Sequence, residues 1–112
     1  MFKKIICTKH AIQRYEQRTN KTKQDTVKRM IRDIKALRNK QIVKIGTSYH
    51  VFYKQPSKNV REFILKQDEK DKDVFHCVTV ITRNPKASEH IYNKRIRQKK
   101  RYENNVKNWI GS

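Results

Sequence analysis

Three side chains near the start of the chain, His10, Arg14 and Arg18, stand four residues apart in the stretch TKHAIQRYEQRT. On a helix each such step advances about 400°, so the three form one narrow ribbon. Two guanidinium forks and an imidazole suit phosphate. Arginine holds it bidentately, and histidine donates or accepts a proton near neutral pH. The ribbon could hold successive phosphates of a backbone, or a single reacting one. The plainer alternative is the solvated side of a helix whose other side carries Ala11, Ile12 and Tyr15. Strand-like stretches further on add Arg83 and Arg61 as charge stabilisers, and His50, Tyr53 and His76 as acid–base partners. Each of these also has a structural reading.

Cys7-x-x-His10 and His76-Cys77 contain zinc-type ligands. His76 and Cys77 are adjacent in a strand-like stretch, so their side chains point to opposite faces. No second C-x-x-C or H-x-x-x-H pair accompanies them. Two small buried thiols are the simpler expectation, with no metal and no cofactor. Two cysteines make no disulfide framework. The opening MFKKIIC has an apolar run of three residues, too short for a secretory signal, so a reducing cytoplasm is expected.

Charge narrows the class of partner. The net charge is +19, from 29 Lys and Arg against 10 Asp and Glu. Residues 1–40 supply 13 basic and 3 acidic groups, residues 41–84 supply 8 and 5, and residues 85–112 supply 8 and 2. Self-repulsion of this size opposes compaction and points to a polyanionic partner. Nucleic acid is the first expectation, and an acidic protein the second. An anionic membrane would need an amphipathic or lipidated segment, and neither is evident. The phosphate-binding candidates are Lys9, Arg29 and Arg32 near the start and Lys94, Arg95, Arg97, Lys99, Lys100 and Arg101 near the end.

These residues need elements to position them. Phe2 to Cys7 reads as a strand, and Thr8 can cap the helix that carries the ribbon. Thr22 to Asp25 has capping-box spacing; Val27, Met30, Ile31, Ile34 and Leu37 then recur at helical intervals, predicting a helix that ends near Asn39. Four strand-like stretches follow: Gln41 to Ile45, Ser48 to Lys54, Val60 to Lys66 and Val74 to Arg83. Tyr49, Val51 and Tyr53 share one face of the second, a platform for stacking bases or a surface that packs under the helices. The last stretch is apolar on both faces, which suits a central strand. Asn84-Pro85 can start the final helix, and Ser88-Glu89 offers a later start. The expected fold is one α+β domain. Two helices pack on an antiparallel sheet of four to five strands, a core over about residues 1–86, followed by a basic helix over about 87–110.

His10-Ala11-x-x-Arg14-x-x-x-Arg18, followed by a second helix and a run of strands, resembles the opening of BrnT-type toxins. It is also similar to small domains of the wider RelE/ParE-like group. The resemblance covers roughly residues 5–85 and implies a small α+β fold and metal-independent RNA cleavage. In such a reaction the 2′-hydroxyl would attack, His10 would serve as base or acid, and Arg14, Arg18 and Arg83 would stabilise the developing charge. The leading expectation is a phosphate-contacting nucleic-acid-binding protein, RNA ahead of DNA. An endoribonuclease and a regulator or inhibitor docking on an acidic partner are the alternatives.

Overall fold

Thr8 marks where the first strand gives way to the first helix. Its Oγ1 accepts a hydrogen bond from the Ala11 amide at 3.2 Å, as an N-cap should, and donates to the Val78 carbonyl at 3.2 Å. The structure is a computed structural model that describes residues 2–16, 23–55 and 58–111. In chain order the elements are β1 (Lys4–Cys7), α1 (Lys9–Glu16), α2 (Lys23–Lys35), β2 (Lys40–Ile45), β3 (Ser48–Lys54), β4 (Val60–Gln67), β5 (Val74–Arg83) and α3 (Pro85–Gly111). This is an α+β fold with a C-terminal helix. The capping box expected at Thr22 lies outside the described residues.

The sheet runs in the order β1-β5-β4-β3-β2. β2 to β5 are antiparallel neighbours, with a two-residue turn at Gly46-Thr47. Gly46 has φ +60° there, a conformation that glycine adopts without strain. β1 pairs with β5 in parallel, so the sheet is mixed and not wholly antiparallel as expected. The reason is connectivity. Two helices separate β1 from β2, and a crossover that long leaves β1 free to join the far edge in either direction. Its neighbour β5 lies inside the sheet, in keeping with its doubly apolar sequence. The β4–β5 register slips after Ile64, leaving Val78 without a partner on β4.

α1 and α2 cover one face of the sheet, where Ala11, Ile12, Met30 and Ile34 meet Val51, Phe63 and Leu65. Phe2, Tyr49 and Phe75 pack edge to face in the same layer, with centroids 4.9 to 5.6 Å apart. The Tyr49–Val51–Tyr53 side of β3 is therefore core, not a base-stacking platform. α3 crosses the opposite face, setting Ile91, Tyr92 and Ile96 over Val43, Phe52 and Val60. Asn84 caps it, its Oδ1 accepting from the Ala87 amide at 2.8 Å, with Pro85 at the first helical position. The later start is not used, and Ser88 is buried within the helix.

One apolar residue is misplaced by periodicity alone. Leu37 continues the spacing of α2 but is 94% exposed, because the helix ends at Lys35 and not near Asn39. Asn39, at φ +62°, then turns the chain into β2, which begins at Lys40.

Candidate nucleic-acid interface

The capped start of α1 buries Ala11, Ile12 and Tyr15 and leaves Lys9, His10, Gln13 and Arg14 exposed. His10 and Arg14 thus share the outer side of α1, with no ion-pair partner among the described residues. Arg18, the third member of the ribbon, lies outside the described residues. α2 adds exposed Lys28, Arg32 and Lys35, with Arg29 half-buried. Arg32 reaches Asp33 at 3.7 Å, and Lys35 donates to the Lys3 carbonyl at 3.4 Å.

Under this layer a carboxylate is buried. Asp33 Oδ2 accepts from Tyr15 Oη at 3.2 Å and from Arg61 at 3.3 Å, and Arg61 also donates to Tyr15 Oη at 3.1 Å. The Arg61 guanidinium lies 4.5 Å from the Tyr15 ring centroid. Burial pushes the Asp33 carboxyl above its usual range, and the pull of Arg61 offsets this only in part. Burial likewise raises the Tyr15 phenol, with Asp33 adding to it. Arg61 is committed to this cluster and is not a free charge stabiliser.

The other side of the sheet holds a second buried carboxylate, Glu62, the next residue along β4. Arg95 Nε donates to its Oε2 at 3.0 Å, and Arg83 Nη1 donates to its Oε1. His50 Nδ1 lies 2.8 Å from Oε2. An ionised carboxylate only accepts, so that ring nitrogen carries the hydrogen. Burial would raise the Glu62 carboxyl, but the hydrogen bonds from His50, Arg95 and Arg83 reverse the effect and hold it at about 2.

This cluster draws in two of the candidate residues. Arg83, a candidate charge stabiliser at the end of β5, sits across the sheet from His10 and Arg14, neutralising Glu62. Arg95, expected to bind phosphate, closes the same cluster and donates to Gln98 at 3.2 Å. Both lie on inward-facing positions, where an uncompensated carboxylate would be costly. The remaining acid–base candidates are also engaged: His50 with Glu62, His76 with Asp68 at 2.8 Å, and Tyr53 half-buried against the first core. On α3, Lys94, Arg97, Lys100 and Arg101 are exposed, and Lys99 is half-buried. Periodicity could not have found Glu62. The one signal was a lone acidic residue within a mostly apolar and basic strand; the structure sets it on the face it shares with Phe52.

Cys7 and Cys77 are register partners on β1 and β5, and both are free. The hydrogen bond between them lowers the Cys7 thiol, and with burial raises Cys77. Among the described residues, no three His, Cys, Asp or Glu side chains come together as a metal site, and no helix is long and apolar enough to cross a membrane. The cations outside both helical layers can neutralise phosphates. No family model, curated protein or solved structure matches this chain.

Proposed function

We propose that this protein binds nucleic acid, RNA in preference to DNA, through phosphate contacts from the exposed cations of its helices. The observation that supports this reading is how its charge is divided. The carboxylates of Asp33 and Glu62 are satisfied inside the fold by Arg61, Arg83, Arg95 and His50. Outside, Lys9, Arg14, Lys94, Arg97, Lys100 and Arg101 have no ion-pair partner among the described residues. A surface so biased attracts a polyanion over a range set by ionic strength. The preference for RNA follows from the resemblance of the His10-to-Arg18 stretch. The free thiols suit a reducing, cytoplasmic setting.

The test is binding of labelled single-stranded RNA, single-stranded DNA and duplex across a salt series. If about six phosphates are neutralised, affinity falls with a log–log slope of about −4 to −5. A slope near zero overturns the proposal. The endoribonuclease reading is favoured by one observation: His10 and Arg14 stand free on one exposed side of α1. It requires cleavage in EDTA by the wild type and none by His10→Ala. Equal binding by both proteins without cleavage rejects it.

A further inference from the structure

A cleft of about 530 Å³ opens where the first turns of α3 pass the ends of β2, β3 and β4. Its volume lies within the range of small-molecule sites. Its apolar lining comes from Val60, Pro85 and Tyr92. The Tyr92 ring is fixed by Phe52, which it meets edge to face at 5.4 Å. Three amides, Gln41, Gln55 and Asn93, line it too, with the Glu89 carboxylate and the Lys54 and Lys58 ammoniums. None of these six polar heads has a partner among the described residues. Gln41, Lys54, Lys58, Glu89 and Asn93 are exposed, and Gln55 is half-buried.

This set exceeds what a bare phosphate needs, and its carboxylate opposes a second anion held close by. It suits a ligand that is flat and hydrogen-bonding at one end and anionic at the other. We propose that the cleft binds one unpaired nucleotide, with guanine the preferred base. Guanine presents N1–H and N2–H side by side, a pair that a carboxylate accepts together. Adenine offers no such pair on that edge. In a duplex this edge is occupied by the partner strand, so the cleft selects unpaired nucleotides, as single-stranded RNA supplies them. Lys54 and Lys58 take the phosphate. Asn93, Arg97 and Lys100 follow one another at i, i+4 and i+7 along α3, giving the strand a cationic path away from the cleft. The strand part of this proposal rests on the nucleic-acid reading above; mononucleotide binding does not.

The experiment follows the side-chain amide signals of Gln41, Gln55 and Asn93 by NMR while GMP, AMP or inorganic phosphate is added. GMP shifts them saturably, AMP binds about five-fold more weakly, and phosphate alone leaves them in place. Glu89→Gln brings GMP and AMP within about two-fold, and Asn93→Trp, with its core methyl spectrum unchanged, blocks GMP. Absence of a GMP response, or an equal response to phosphate, overturns the proposal. So does tight GMP binding by a folded Asn93→Trp variant. A twelve-nucleotide RNA separates the two readings. If wild type and Asn93→Trp bind it equally, the cleft assignment fails while nucleic-acid binding stands. If GMP binds but no RNA does at low salt, the strand reading fails and the nucleotide site stands.

Discussion

Arg61 and Glu62 are consecutive on β4, yet they deliver opposite charges to opposite sides of the sheet. On the α1–α2 side an anion, Asp33, receives one well-placed guanidinium, a phenol and a distant Arg32. On the α3 side an anion, Glu62, receives two arginines and a histidine. Both side chains are nearly inaccessible, at 3% and 1% exposure, so burial penalises both. They nevertheless shift in opposite directions, Asp33 up and Glu62 down. The ionisation of a buried carboxylate is therefore decided by how many donors reach it, more than by how deeply it lies.

The largest way to break this comparison is Glu62→Gln. It leaves two half-buried guanidiniums facing a neutral amide and should destabilise the fold by about 3 kcal/mol in urea unfolding. A loss under about 1 kcal/mol would mean that the cluster is solvated, against the burial described above.

Acid comes next. The Glu62 carboxyl falls from the ordinary 4.5 to about 2, so the unfolded chain takes up its proton first as the pH drops. Its stabilisation is complete above 4.5 and disappears between 4.5 and about 2, a loss of about 3 kcal/mol. Asp33 works in the reverse sense. Its raised folded value means that the native state binds the proton first, so acidification down to its ordinary 3.8 favours the fold, before most of the Glu62 loss sets in. Unfolding free energy measured from neutral to acid pH should rise slightly and then fall, and Glu62→Gln should show a much smaller fall, the part left coming from carboxylates such as Asp68, which His76 also holds low.

Asp33→Asn is expected to be milder, about 1 kcal/mol, because the amide oxygen still accepts from Tyr15 and Arg61 and a disfavoured charge is gone. Equal effects for the two substitutions would erase the distinction between the faces. The smallest effect concerns the outer surfaces. Arg97→Ala with Lys100→Ala, and Lys9→Ala with Arg14→Ala, each remove two exposed cations from one helical layer. Every phosphate that is no longer neutralised makes the salt slope shallower by about 0.7–0.9. The α3 pair should change RNA binding more, since it continues from the cleft. A change confined to the α1 pair would move the interface to the ribbon.

Much of the fold is legible in the residues themselves. Ser48–Lys54 and Val74–Arg83 have the ends that their flanking turn residues suggest, and Thr8 and Asn84 cap as their types require. What misleads is tertiary. Leu37 fits a helical period that stops at Lys35, and nothing within Lys4–Cys7 says which strand, or which direction, will receive it. The candidate site divides in the same way. The exposure of His10 and Arg14 follows from local spacing. The capture of Arg83 and Arg95 depends on Glu62, which comes from another part of the chain.

The β1–β5 pairing has a consequence for the order of folding. Thr8 holds a carbonyl 70 residues away, and Cys7 aligns with Cys77, so β1 can dock only after β5 has emerged. Until then β1 is a short apolar strand without a partner, the kind of segment that pairs with another copy. Lys3, Lys4 and Lys9 bracket its Ile5-Ile6-Cys7 run. Their charges keep the waiting strand from its neighbours on other chains, so part of this protein's basicity also guards its own assembly.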